Sequence, residues 1–136
     1  MSTSCWRAAN PPPSPGAWIV IDDPAERTEV ALRDLYAFYG RTEGMYSSLL
    51  RDEPLVPAVE RRLRDFYRYL ETIEDVLIAG RGLRGRALRR TRAAIAHALA
   101  FATWQSLVQE QELEDDEAVA LMCTLVEHAT HGASKR

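Results

Sequence analysis

Hydrophobic positions recur at three- and four-residue spacing along most of this 136-residue chain, the period of helices packed on one face. The clearest run is Val59, Leu63, Phe66, Leu70, Ile73 and Leu77, spaced four, three, four, three and four. That stripe predicts a bundle helix from about Pro57 to Ala79, ended by Gly80 and Gly82. Upstream, Asp22 or Asp23 can cap a helix that opens with Pro24 and carries Glu26 in its first turn. Leu32, Leu35, Tyr36 and Tyr39 give that helix an inward stripe. Gly40 and Gly44 flank Arg41, Thr42 and Glu43 and predict a loosening there, followed by a second helical run to Asp52. Pro54 and Pro57 stop it.

A further helix is predicted from about Arg86 to Gln111, with two apolar lines. His97, Phe101, Trp104 and Val108 form one; Ile95, Leu99, Ala102 and Ser106 form the other, roughly opposite at about 100° per residue. A helix apolar on opposite sides is usually sandwiched, so one face is expected in the chain's own bundle and the other against a partner. The last helix should run from about Asp115 to Thr130, with Asp115, Asp116 and Glu117 at its positive end and Ala118, Leu121, Met122, Leu125, Val126 and Ala129 as its stripe. Ile95, Leu99, Ala102, Leu121 and Leu125 are the expected dimer contacts. The one strand candidate, 17–21, has no partner and is taken as an extended or helical lead-in, after a stiff segment containing Pro11, Pro12, Pro13 and Pro15. The fold class is therefore all-α: a bundle of about five main helices over 17–132, between a Pro-rich segment, 1–16, and a short tail, 133–136.

Composition narrows the function classes. The chain fits one domain with a real core, at 46% hydrophobic residues. No apolar run approaches a membrane span, and the N-terminus has no signal-peptide core. Cys5 and Cys123 lack metal spacing and suit free thiols in a cytoplasm. A net charge of −3 argues against direct DNA binding. Gly80-Arg81-Gly82-Leu83-Arg84-Gly85 matches GxGxxG, but it follows a helix and no sheet is predicted, so it reads as an interhelix loop. Arg81, Arg84, Arg86, Arg89, Arg90 and Arg92 read as a solvated face, or one that pairs with acidic groups of a partner subunit. His128 and His131 share a helix face without the further ligands a metal site needs. No nucleophile–base constellation can be assembled, so no catalytic residue, metal or cofactor is expected. Aromatic residues are the richest functional clue. Tyr36, Tyr39, Tyr46, Phe66, Tyr67, Phe101 and Trp104 lie on apolar or boundary faces of four helices, as core filling or as a ligand pocket, with Glu43 as a polar contact at the rim.

These features also occur together in a known arrangement. Asp23-Pro24, Tyr36, Tyr39, Arg41-Thr42-Glu43, Met45 and Leu50-Arg51-Asp52 fall in the order of a DP-opened helix, a YxxYxRTE-like segment, a methionine and an LRD triplet. With the runs from His97 to Leu107 and from Glu117 to Met122, the chain resembles the ligand-binding half of TetR/AcrR-type bacterial repressors over roughly residues 5–130. The resemblance implies an effector-sensing domain that binds a small, mostly apolar molecule and forms a homodimer through its last two helices. It also implies an N-terminal helix-turn-helix, and the segment from Met1 to Gly16 contains none; the expectation is a sensing and dimerisation domain without its DNA-reading head, and with no operator binding of its own. Two other classes remain open: an oligomerisation-only module that acts by mixed dimerisation with full-length relatives, and a small helical enzyme using Glu43.

Overall fold

The computed structural model describes residues 11–52 and 57–132, with side chains at all of these except 46–52, 59 and 132. Among them are six α-helices, one π-helical turn and no strand, consistent with the all-helical bundle expected from the periodicity. A short α1, Gly16–Ile19, leads into α2, Pro24–Asp52, and α3, Pro57–Ile78. Then come α4, Gly85–Leu99, the four-residue α5, Phe101–Trp104, the π turn Gln105–Glu110, and α6, Asp115–Gly132. The four long helices close a ring: α2 packs on α3, α3 on α4, α4 on α6, and α6 back on α2.

Helix α2 forms the inner wall of this ring. Pro24 sits at its first position, and the Glu26 amide donates to Asp23 Oδ2 at 3.3 Å, as capping by that aspartate predicts. Ala31, Leu32, Leu35, Tyr36, Phe38 and Tyr39 are all fully buried. One expectation is corrected here: α2 runs unbroken for 29 residues, and neither Gly40 nor Gly44 loosens it. Isolated glycines lower helix propensity by about 1 kcal/mol each, which the packed flank of such a helix overrides. The lead-in is tied down by Trp18, buried on α1, whose Nε1 donates to Asp34 Oδ2 at 2.9 Å.

One end of the ring is held by two arginines. The C-terminus of α3 leaves carbonyls without helical partners. Arg27, on α2, donates to Val76 O and Ala79 O at 3.0 and 2.7 Å, and to Ile21 O at 2.9 Å. Arg81 follows Gly80, whose φ of +81° turns the chain out of the helix. Its side chain is 3% exposed and turns inward. It donates to Leu77 O and Pro24 O, to Thr28 Oγ1, and to both carboxylate oxygens of Glu127 on α6 at 3.0 and 3.1 Å. Arg81 thus joins α2, α3 and α6 and is not part of a solvated basic face. The GxGxxG segment is the loop between α3 and α4, with Gly80, Gly82 and Gly85 all at positive φ.

Candidate functional site

The predicted helix from Arg86 to Gln111 is broken. Ala100 adopts an extended conformation, φ −65° and ψ 137°, between α4 and α5. The break turns part of each predicted apolar line inward. Ile95 and Leu99, before it, are fully buried, and so are Phe101 and Trp104, after it, at 4% exposure. His97 and Ala102 are left outside. A strict helix would have kept Leu99 and Phe101 on roughly opposite sides; resetting the phase at Ala100 brings them into one core.

Two tyrosines of α2 hold the break. Tyr36 donates its hydroxyl to Ala98 O at 2.7 Å, and Tyr39 donates to Leu99 O at 2.5 Å. In an unbroken helix Leu99 O would accept from the Thr103 amide, but that amide donates to Ala100 O instead, at 3.1 Å. The tyrosine hydroxyls therefore serve the backbone. Burial, and then the charges of Cys123 and Asp115, push the Tyr36 hydroxyl pKa well above its ordinary value, so it stays a neutral donor.

Tyr39 is also the hub of the aromatic set. Its ring lies 5.2 Å from that of Phe101 at a near-perpendicular 83°, and 6.2 Å from both Phe66 and Trp104. Phe101 and Trp104 stack at 5.7 Å, and Trp104 Nε1 reaches Asp115 Oδ1 at 3.4 Å. Five of the predicted ligand residues, Tyr36, Tyr39, Phe66, Phe101 and Trp104, thus form one cluster, and it is packed.

A hollow adjoins this cluster. Between α3 and the α4–α5 break lies a half-open groove of about 360 Å³. Phe66 and Phe101 form its inner wall, with Tyr39 behind them. Leu63, Tyr67 and Leu70 of α3 line it on one side, Ala96, Ala100 and Ala102 on the other, and Glu71 and Glu74 at the edge. Burial raises the Glu74 pKa, opposed by its bond to Arg92 at 3.5 Å. A smaller hollow, about 280 Å³, lies on the far side of the same break, lined by His97, Ala100, Ala102, Thr103, Ser106, Leu107 and Met122.

The remaining site residues fall as follows. Tyr36, Tyr39 and Trp104 do not line the groove. Glu43 is half-buried on α2 and does not line it either; with α2 unbroken, no bend at Gly40 and Gly44 turns its carboxylate in. The Tyr46 side chain lies outside the described residues. Of the expected dimer contacts, Ile95 and Leu99 are fully buried within the single chain and offer a partner no surface. Ala102 is exposed, as are Leu121 and Leu125 of α6, at 49% and 38%. Those two leucines belong to an outward stripe with Ala120, Thr124 and His128, while Val119, outside the predicted stripe, is buried in the core. Leu63, Leu70, Glu71, Glu74, Ala96 and Ala100 are groove residues that the sequence did not mark as part of a site. Alanines leave no mark in a hydrophobic pattern, and Leu63 and Leu70 read simply as core. The signal available was on α3, where Leu63, Phe66, Tyr67, Leu70, Glu71 and Glu74 share one helical face that changes from apolar to acidic. Among the described residues no helix is long and apolar enough to cross a membrane. No protein-family model, curated protein or solved structure matches the chain.

Proposed function

We propose that this chain is the effector-sensing and dimerisation domain of a TetR-like transcriptional regulator, working in the cytoplasm as a homodimer and binding a small, mostly apolar molecule without turning it over. The observation that carries this reading is the groove beside the aromatic cluster. Ligand sites are typically concave and mostly apolar with a few polar groups, and run from about 300 to 1,000 Å³. The groove, at about 360 Å³, is a small member of that class. The dimer half of the proposal draws on α6, whose stripe of Ala120, Leu121, Thr124, Leu125 and His128 faces away from the chain's own core. DNA contact, in this reading, belongs to a separate helix-turn-helix and not to these residues.

The test is a thermal-shift screen of aromatic and branched aliphatic metabolites, since a ligand that binds only the folded state raises Tm by mass action. Ala96→Phe, which fills the groove, should abolish any hit. Sedimentation should show a dimer, and Leu121→Glu with Leu125→Glu should dissociate it while leaving the fold intact. The packing of Tyr36, Tyr39 and Trp104 into a filled core favours one second reading, an oligomerisation-only module. If no compound raises Tm while the dimer persists, that reading replaces the first.

A further inference from the structure

The groove has a direction. On α3 its lining runs from Leu63, Phe66, Tyr67 and Leu70 to Glu71 and Glu74, so one end is apolar and aromatic and the other bears two carboxylates. The facing wall, Ala96, Ala100, Phe101 and Ala102, is uncharged, and no lysine or arginine lines the groove. Among the described residues the cation paired with a groove carboxylate is Arg92, and it is divided: it lies 3.5 Å from Glu74 and 3.1 Å from Asp75, whose side chain is 72% exposed. One guanidinium is therefore shared between two carboxylates, Glu74 and Asp75, and Glu71 adds a third carboxylate to the same end of α3. Tyr67, 44% exposed, adds an aromatic ring to the lining, and such rings attract cations at their faces.

We propose that the groove takes a lipophilic monocation: an aromatic or branched aliphatic body against Phe66, Leu70 and Phe101, with an ammonium-type head toward Glu71 and Glu74. This deepens the effector reading above and rests on it. Charge complementarity chooses the occupant. An anion would meet two carboxylates and, among the described residues, no lysine or arginine in the lining to offset them, and a neutral molecule would gain only the apolar end. The partial burial of Glu74 leaves its negative charge less hydrated than a surface carboxylate, which strengthens its attraction for a cation.

Three probes on one frame separate the possibilities: 4-tert-butylbenzylamine, cationic at neutral pH, 4-tert-butylbenzyl alcohol and 4-tert-butylbenzoate. Dissociation constants are read by ligand-observed NMR titration of the full chain at low and high salt. The amine should bind about tenfold tighter than the alcohol, equivalent to one carboxylate contact in a half-wet site, and the benzoate weakest. High salt should narrow the gap. Glu74→Gln and Glu71→Gln should each reduce the preference for the amine and leave the alcohol unchanged. Should Glu74→Gln disturb Arg92, Glu71→Gln alone still reads the effect. Equal binding of amine and alcohol would overturn the cation proposal and leave an apolar effector site standing. A preference that survives both substitutions would overturn it as well, because the charge would then be read elsewhere. If none of the three binds, the proposal and the effector reading of the groove both fail.

Discussion

Replacing Tyr36 and Tyr39 by phenylalanine asks whether their hydroxyls serve a ligand or the backbone. The change removes one oxygen from each ring and leaves the packing around Tyr39 untouched. Both rings are fully buried, and each hydroxyl is bonded to a carbonyl beside the Ala100 break, at 2.7 and 2.5 Å. Removing a donor and leaving a buried acceptor unsatisfied costs about 1–3 kcal/mol. The two carbonyls are adjacent in sequence, so the losses will not add simply, and the double variant should lose about 2–5 kcal/mol. With a urea slope of about 1–3 kcal/mol per molar, its unfolding midpoint should fall by about 1–2 M. The measurement is urea unfolding followed by circular dichroism, at one fixed protein concentration because a dimer's midpoint depends on it. If the hydroxyls instead face a ligand in solution, their loss should leave stability near that of the parent and weaken ligand binding alone. Single variants within about 0.5 kcal/mol of the parent would refute the backbone role and return both tyrosines to the ligand site.

Arg81→Met strips Glu127 and several backbone acceptors of a buried partner, so it should cost about 3–5 kcal/mol by the same unfolding assay; a loss under about 1 kcal/mol would show the clamp to be incidental. Gly40→Ala and Gly44→Ala should each stabilise the chain by about 0.5–1 kcal/mol, because a Cβ at Gly40 would meet Trp104 Cζ2 at an ordinary 3.8 Å and one at Gly44 would meet nothing within 4 Å. Destabilisation by either would mean that α2 bends there after all. Burial, and then Glu29 and Glu127, push the Cys123 thiol up to about 11, so at pH 8 only about one molecule in a thousand carries a thiolate there. In a Cys5→Ser background iodoacetamide should label Cys123 slowly at pH 8 and faster toward pH 11. Its folded pKa lies above the unfolded value of about 8.5, so the stability it contributes is intact below that pH and is lost as pH rises toward 11. Labelling at pH 8 as fast as a free peptide thiol would contradict this.

Helix number, the order of the elements and the face of α3 were legible because each rests on a repeated pattern. Leu63, Phe66, Leu70, Ile73 and Leu77 all went where their spacing put them. The aromatic cluster was legible for the same reason, since Tyr36 and Tyr39 share a face of α2. What the sequence concealed was a change of phase. Periodicity assumes about 100° per residue without interruption, and nothing around Ala100, no proline and no glycine, marks an interruption. Ile95 and Leu99 therefore looked like a surface opposite Phe101, when the break places them with it in one core. Gly40 and Gly44 erred the other way: residues that weaken isolated helices sit in a helix held by tertiary contacts. Arg81 was misread because charge content reports nothing of direction, and the carbonyls of Leu77 and Pro24, the Thr28 hydroxyl and the Glu127 carboxylate come together only once the chain is folded. On α6 the last stripe was ambiguous, because Leu121 and Leu125 are as apolar as Val119 and Val126 and only packing decides which pair faces in.

The same break that hid the site also sets its place in the molecule. Ala100 and Ala102 line both hollows, the groove facing α3 and the smaller one whose lining includes Met122 of α6. The wall between them is one extended residue and a four-residue helix, held from below by two tyrosine hydroxyls. Such a wall carries few helical bonds of its own. Anything seated in the groove presses on Ala100 and Phe101, and the other surface of that segment, beside Met122, adjoins the helix with the exposed Leu121 and Leu125. Within the proposed function, the segment from Ala100 to Trp104 therefore lies between the ligand and the helix that carries the partner face. A substitution that straightens the break should alter both ligand affinity and dimer strength, whereas one confined to the α6 surface should alter dimer strength directly. The discriminating comparison is Tyr39→Phe against Leu125→Glu, with both affinities measured in each. If Tyr39→Phe moved neither affinity although it lowered stability, the groove and the dimer face would be independent.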